Sequence, residues 1–117
     1  DYTPQQYSQN KIKKNADSIE LKLVKTVDIL NSVISKTKAI KIGFALETDS
    51  GESNAMEKMH SKSLDFIILN YANEDGAGCE SDTNHVYIYS KNGIKKEFPK
   101  DTKNRLSQDI LRYFIEL

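Results

Sequence analysis

Residues 39–70 contain two apolar segments separated by a stretch with helical spacing, and this arrangement limits the fold more than any other part of the chain. Apolar side chains alternate from Ile40 to Leu46, a pattern typical of a β-strand. Residues 64–69 form an apolar run interrupted only by Asp65, which is typical of a strand buried on both faces, as in a parallel sheet. The stretch between them lacks strand alternation. The sequence therefore predicts a right-handed strand–helix–strand unit.

Two lysines on the predicted crossover helix are candidates for ligand binding. Lys58 and Lys62 are four residues apart, so they share one face of a helix. In such units ligands bind outside the carboxyl ends of the strands. Two interpretations are open from spacing alone. The pair is either a solvated helix face, eased by the neighbouring Glu57, or a clamp for an anion such as a polyphosphate.

The segments before this unit are more polar. Residues 11–14 and 19–25 mix charged and apolar side chains, and we predict that they pair as a β-hairpin that would be marginal alone. A helix is predicted to begin with Thr26 as its N-cap. Asp49 is predicted to cap the crossover helix, with Glu52 completing a capping box.

The C-terminal part predicts a hairpin and a helix. A strand from His85 to Ser90 is followed by Asn92-Gly93, a strong hairpin signal, and by a return strand that we expect to end at Pro99. The last helix is predicted to begin at Asp101 or Thr102, because apolar residues then recur at helical spacing.

Composition argues against several classes of protein. The 17 basic and 17 acidic residues cancel, so there is no general attraction to nucleic acid or to an anionic membrane. No apolar run approaches the roughly 20 residues that span a bilayer. The single cysteine, Cys79, cannot form an internal disulfide, which favours a cytoplasmic location. A Cys79 nucleophile with His85 as its base is a weak alternative. The acidic loop at 70–84 lacks calcium-loop spacing, so no metal site is predicted.

Six short motifs occur in the order and spacing of a known family. They are Asp1-Tyr2 with Pro4, Lys11-Ile12-Lys13-Lys14, Lys25 to Leu30, Gly43 to Thr48, Lys58 and Lys62 followed by Leu64-Asp65, and Asn70 with the later Ser81-Asp82-x-Asn84. In these motifs the chain resembles the phosphopantothenoylcysteine synthetase domain, the second half of the bifunctional coenzyme A biosynthesis flavoprotein.

The resemblance implies an α/β, Rossmann-like fold with a mostly parallel sheet, flanking helices and a C-terminal β-hairpin. Residues 1–117 would be the C-terminal portion of a single synthetase domain, incomplete at the N-terminus. Residues 11–25 would be a flap hairpin that also takes part in dimerisation. Because the family's glycine-rich first segment is missing, the fragment alone is expected to be inactive.

The implied enzyme is a CTP-dependent acid–amino acid ligase. It activates 4′-phosphopantothenate as an acyl-cytidylate and then joins it to cysteine. Mg²⁺ accompanies CTP, and FMN is implied only if a decarboxylase half precedes this segment. The implied assembly is a cytoplasmic homodimer with no nucleic acid or membrane partner. A non-catalytic dimerisation module, or a degenerate paralogue of the same fold, is the alternative.

The resemblance also implies which residues form the site, motif by motif. Lys11 is the implied catalytic lysine. The implied nucleotide-binding residues are Asp1, Lys11, Val27, Asp28, Ile29, Leu30, Phe44, Lys58 and Lys62, with Asn70 as a weaker substrate-binding candidate. Four residues depart from the family's motifs, namely Val27 for a proline, Leu46 for an alanine, Tyr71 for an aspartate and Cys79 for an aromatic residue.

Overall fold

A computed structural model describes residues 1–13, 17–76 and 81–117. The chain divides into two compact units, Asp1–Ser35 and Lys36–Leu117, and each is described by itself. Within the described ranges, no helix is both long enough and apolar enough to cross a membrane.

The first unit contains a two-stranded antiparallel sheet and a short helix. Strand β1 (Tyr2–Pro4) pairs with strand β2 (Leu23–Lys25). Helix α1 (Ile29–Val33) begins after Asp28, whose side chain accepts a hydrogen bond from the backbone N–H of Asn31 at 3.0 Å. A 3-10 turn, Ile34–Lys36, follows the helix.

Two predictions for this unit are wrong. The partner of β2 is the segment Tyr2–Pro4 rather than residues 11–14, and residues 11–13 lie in no strand. Both strands are three residues long and exposed, so backbone pairing decides the partner and side-chain alternation does not. Thr26 does not cap α1, because the helix begins after Asp28, which is its N-cap. The backbone N–H and the hydroxyl of Thr26 instead donate to the carbonyl oxygen of Asp1, at 3.0 and 3.3 Å.

The second unit is a four-stranded sheet with two helices. In chain order its elements are β3 (Ile42–Glu47), α2 (Gly51–Ser61), β4 (Phe66–Tyr71), β5 (Thr83–Ser90), β6 (Lys95–Thr102) and α3 (Lys103–Ile115). The strand order is β3–β4–β5–β6. The strands β3 and β4 run parallel and are joined by α2, as the strand–helix–strand pattern predicts.

The sheet is mixed rather than mostly parallel, and in this respect the expected fold is not confirmed. The pairs β4–β5 and β5–β6 are both antiparallel. A tight turn at Asn92-Gly93 reverses the chain between β5 and β6, and Gly93 adopts the positive φ of 85° that such turns require. The predicted C-terminal hairpin is therefore confirmed.

The two helices cover opposite faces of the sheet. Ala55 and Met59 of α2 are buried, and Ile67 is buried on the same side of β4. Side chains alternate along a strand, so the neighbouring Ile68 faces the other way. It forms a core cluster with Val86 and Ile88, against which α3 packs Ile110, Tyr113 and Phe114, together with Phe66 and Phe98 of the sheet. The apolar run at 64–69 is therefore buried on both faces, as predicted.

Two further predictions need correction. Pro99 does not end the return strand but lies inside β6. This strand is at the edge of the sheet, where a missing backbone N–H is tolerated. The N-cap of α2 is Ser50 in a left-handed conformation, not Asp49, and the capping box does not form. By contrast, Thr102 caps α3 as predicted, accepting from the N–H of Arg105 at 3.3 Å.

Asp65 joins three strands at one end of the sheet. Its carboxylate accepts from the Lys41 backbone N–H at 2.9 Å and from Lys91 Nζ at 2.5 Å, and Lys41 Nζ lies 3.3 Å away. Lys41 precedes β3 and Lys91 follows β5, so the residue before β4 links both neighbouring strands. The hydrogen bond from Lys91, followed by the N–H of Lys41, lowers the pKa of Asp65 to about 2.

We expect Asp65→Asn to lower the free energy of unfolding at pH 7 by roughly 1–2 kcal/mol, a value reduced for the solvent exposure of Lys91. The pKa of Asp65 is depressed in the folded state, so its contribution is present above the unfolded pKa. It should disappear as the pH falls from about 4 to about 2. Urea unfolding of both proteins across this range measures the effect.

Asp109→Asn is the matched control, because Asp109 is half-exposed and its ion pair with Arg112 is 3.6 Å long. It should change the free energy of unfolding by less than about 0.5 kcal/mol. Equal losses for the two variants would contradict the structural role of Asp65.

Candidate functional site

The second unit brings Phe44 and Lys58 together. Lys58 lies on α2 and its Nζ donates to the backbone carbonyl oxygen of Phe44 at 2.7 Å. The Phe44 side chain is 64% exposed, although it lies in the middle of β3. Phe44 pairs with Ile68 in the parallel register, so its side chain leaves β3 on the face opposite α2, and Lys58 contacts the Phe44 backbone rather than the ring. Neither residue is near the other in sequence, so this proximity is a result of the crossover.

Lys62 follows Lys58 one turn later as the C-cap residue of α2. Its backbone N–H donates to the carbonyl oxygen of Lys58 at 3.0 Å, so the helical spacing predicted for the pair is present. Lys58 is exposed and Lys62 half-buried. Two positive charges in the last turn also suit the negative end of the helix dipole.

Asn70 lies near the end of β4, opposite Leu46 in the parallel register. Residues two apart on a strand share a face, so Leu46 lies on the face that carries Phe44. Asn70 is half-buried there. The same face of β3 exposes three apolar side chains, with Ile42 at 38%, Phe44 at 64% and Leu46 at 48%.

The first unit holds the other predicted residues. The carbonyl oxygen of Asp1 accepts from Thr26, which places Asp1 beside the start of the segment 27–30. Lys11 is exposed and lies outside any helix or strand. Val27 and Ile29 are 78% and 76% exposed.

The expected contribution of the α1 start is weaker than the motif implies. The helix has five residues, and the Asp28 carboxylate already accepts the N–H of Asn31. A short helix has a small dipole, and an N–H that is used by a cap is not offered to a ligand. Binding by the backbone of 27–30 therefore stays a prediction.

Sequence reasoning missed an anchor at the start of α2. The Glu52 carboxylate accepts from the Tyr89 hydroxyl at 3.0 Å and from Lys95 Nζ at 2.8 Å. The Lys95 ammonium also lies 5.2 Å from the centre of the Tyr89 ring. Hydrogen bonds from Lys95 and Tyr89 lower the pKa of Glu52. No sequence signal links Glu52 to a residue 43 positions away.

A second missed cluster surrounds His85. Its Nδ1 lies 2.7 Å from Glu74 Oε1 and its Nε2 lies 3.0 Å from Glu97 Oε1. Burial lowers the pKa of His85, but hydrogen bonds to Glu74 and Glu97 outweigh it and the pKa is raised. Because both ring nitrogens face carboxylates, the protonated imidazolium satisfies both contacts. Cys79 lies outside the described residues, so the Cys79–His85 alternative gains no support.

No three His, Cys, Asp or Glu side chains within residues 1–13, 17–76 and 81–117 are grouped to hold a metal ion. The second unit is a small α/β domain in which Lys58 and Lys62 lie one turn apart at the end of α2 and Lys58 contacts the Phe44 backbone. Its fold and candidate site therefore define the class of small α/β domains with a crossover helix that carries paired lysines.

The chain belongs to the family of DNA/pantothenate metabolism flavoprotein C-terminal domains, which matches residues 1–117. It is 41% identical over 113 residues to the coenzyme A biosynthesis bifunctional protein CoaBC of Bacillus subtilis, covering 96% of this chain and 28% of that protein. It is 35% identical over 119 residues to a cysteine/cysteine sulfinic acid decarboxylase of an unknown prokaryotic organism, covering 100% of this chain and 33% of that protein.

A solved structure agrees with this family. The crystal structure of the C-terminal domain of CoaBC superposes with a TM-score of 0.72 at 30% identity, covering 97% of this chain and 47% of that one. The family resemblance stated from the motifs is therefore confirmed. The chain spans a third or less of the length of these two relatives.

We expect Glu74→Gln to lower the pKa of His85, because it removes one carboxylate that stabilises the imidazolium. The folded-state pKa is raised, so the stabilisation by this cluster is complete below about pH 6.5 and is lost as the pH rises through the folded value. An NMR titration of the imidazole resonances measures the shift, with His60→Asn as a background that removes the other imidazole. Asp75→Asn is the control, and an unchanged pKa in Glu74→Gln would contradict the assignment.

Proposed function

We propose that the chain is part of a phosphopantothenate–cysteine ligase of coenzyme A biosynthesis that uses CTP. The observation that carries the proposal is the 2.7 Å hydrogen bond between Lys58 Nζ and the carbonyl of Phe44. It brings two separate family motifs together at β3, with the Lys58 charge on the α2 side of the strand and the exposed Phe44 ring directed to the other face. Membership of the flavoprotein C-terminal domain family supports the same reaction.

The reaction has two steps. The carboxylate of 4′-phosphopantothenate attacks the α-phosphate of CTP, forming an acyl-cytidylate and releasing pyrophosphate. The amine of cysteine then attacks the acyl carbon, the amide bond forms and CMP leaves. Both steps develop negative charge on phosphate oxygens, so fixed positive charges lower the barrier.

The second unit supplies the nucleotide contacts in this proposal. Lys58 and Lys62 neutralise the triphosphate, and the ring of Phe44 lies against the cytosine. Aromatic faces bind any flat base, so a preference for CTP over other nucleotides needs polar contacts elsewhere. Asn70, on the same sheet face as Phe44, is a candidate contact to substrate.

The first unit supplies the remaining groups. Lys11 contacts nucleotide phosphate and assists both acyl-transfer steps. Asp1 and the backbone of Val27–Leu30, whose proximity the Thr26 hydrogen bonds establish, contribute to the CTP site. Exposed Ile12, Ile19 and Leu21 in this unit fit a surface that a second copy covers, in agreement with a homodimer.

Mg²⁺ enters the proposal with the triphosphate. It neutralises phosphate oxygens when bound, and it commonly binds through substrate phosphates and water with few protein carboxylates. The described residues, which group no three potential ligands, fit this mode of binding. FMN belongs to a decarboxylase half, where one accompanies this domain.

A non-catalytic module is the second candidate. The match to a protein named as a cysteine/cysteine sulfinic acid decarboxylase favours it, because a segment of this type then occurs in a protein named for a different activity. In that case the chain would associate with itself and would not bind nucleotide.

Calorimetry separates the two candidates. We expect the full-length protein to bind CTP in the presence of Mg²⁺ more tightly than ATP or GTP. Lys58→Gln and Lys62→Gln should each weaken binding about tenfold, because each removes a charged phosphate contact. Lys96→Gln on β6 removes the same charge away from the proposed site and should leave affinity unchanged. Self-association without binding of any nucleotide would favour the module.

Pyrophosphate release tests the catalytic proposal. With CTP, 4′-phosphopantothenate and cysteine, the isolated 117 residues should show little or no turnover, whereas the full-length protein should be active. In that protein Lys11→Gln should reduce kcat by about 100-fold, since it removes a charge that stabilises the transition state. Lys22→Gln in the same segment is the control. Full activity of Lys11→Gln would refute the role of Lys11.

A further inference from the structure

The ring of Tyr71 lies directly on Gly51, the first residue of α2. A Cβ atom added to Gly51 would lie 2.5 Å from Tyr71 Cε1 and 2.9 Å from its hydroxyl oxygen. Both distances are shorter than real side-chain contacts, so glycine is required while the ring stays in place. The ring also makes an edge contact with Tyr87, with centroids 6.3 Å apart.

All four strands contact the first turn of α2 through side chains. In strand order the contacts are Glu47 Oε2 with Asn54 Nδ2 at 2.9 Å, Tyr71 with Gly51, the Tyr89 hydroxyl with Glu52 at 3.0 Å, and Lys95 Nζ with Glu52 at 2.8 Å. The Glu47–Asn54 and Lys95–Glu52 contacts are exposed, and such pairs contribute little and exchange readily with water.

The Tyr71–Gly51 contact is of a different kind. Close-packed atoms resist approach steeply, so the ring sets how near the start of α2 comes to the end of β4. The part-buried hydrogen bond from the Tyr89 hydroxyl to Glu52, together with the burial of Ala55 and Met59, holds the helix against this stop. Tyr71 therefore fixes the position of α2 along the sheet.

This position matters for Lys58. A helix transmits a shift of its first turn along its axis, and Lys58 is roughly 10 Å from Gly51 at 1.5 Å per residue. The 2.7 Å contact of Lys58 Nζ with the Phe44 carbonyl depends on where α2 lies relative to β3. A shift of about 1 Å at the first turn is enough to break a hydrogen bond of this length.

We propose that Tyr71 is a positioning residue for the nucleotide, acting through Gly51 and α2 to hold the Lys58 ammonium beside Phe44. This inference rests on the proposed function. This role requires no contact between Tyr71 and the nucleotide. Its effect is on where the phosphate-binding charge is held.

The test is a double-mutant cycle in the full-length protein. Gly51→Ala adds a methyl group against the ring, and Tyr71→Ala removes the ring. Each should raise KM for CTP by about tenfold and change kcat less than about twofold. The double variant should be no worse than Tyr71→Ala alone, because the added methyl group then meets no ring. Tyr71→Phe keeps the ring and should behave as the unaltered protein.

Thermal unfolding confirms that each variant is folded. If Gly51→Ala does not fold, Tyr71→Leu is used in its place. Leucine leaves Gly51 uncovered, so this variant should also raise KM for CTP while kcat is preserved. Additive losses in the cycle, or an unchanged KM in Gly51→Ala, would overturn this inference alone. Failure of the unaltered protein to bind CTP would overturn the proposed function and this inference with it.

Discussion

The ion pairs of Asp65 are the interaction on which the rest of the second unit depends. In the described sheet β3 has one neighbour, β4, and Asp65 joins the starts of both strands through Lys41. Register matters here, because a slip of one residue would turn Phe44 to the opposite face. The carboxylate fixes that register at one end of the strands, and Lys91 extends the same link to the end of β5.

The opposite end is fixed by the first turn of α2. With both ends held, the middle of β3 and the last turns of α2 have a defined separation, and this is where Lys58 contacts Phe44. The proposed nucleotide site therefore lies between two structural supports and is not itself one of them. Lys58 and Lys62 are like charges four residues apart, which costs roughly 0.2–0.5 kcal/mol, and the packing of α2 on the sheet offsets this repulsion.

Patterns within short stretches of sequence predicted the strand–helix–strand unit, the Asn92-Gly93 turn and the last helix, because periodicity and turn chemistry are local. The Lys58 and Lys62 spacing was visible for the same reason. What sequence could not show were contacts between distant side chains, such as those of His85 and Glu52, which depend on strand order. The pairing of β1 with β2 could not be predicted, because three exposed residues carry no alternation of apolar and polar side chains. The mixed sheet could not be predicted either, because the geometry of the connections sets strand direction and apolar content does not.

Pro99 has a consequence for the behaviour of the protein in concentrated solution. Edge strands with a full row of unpaired N–H groups are templates for aggregation. The β6 edge lacks one of these donors at Pro99 and carries Lys95, Lys96 and Lys100 along the same eight-residue strand. A second chain that tried to extend the sheet from β6 would meet a missing hydrogen bond and repulsive charge. The fold thereby protects this side of the domain against amyloid-like growth.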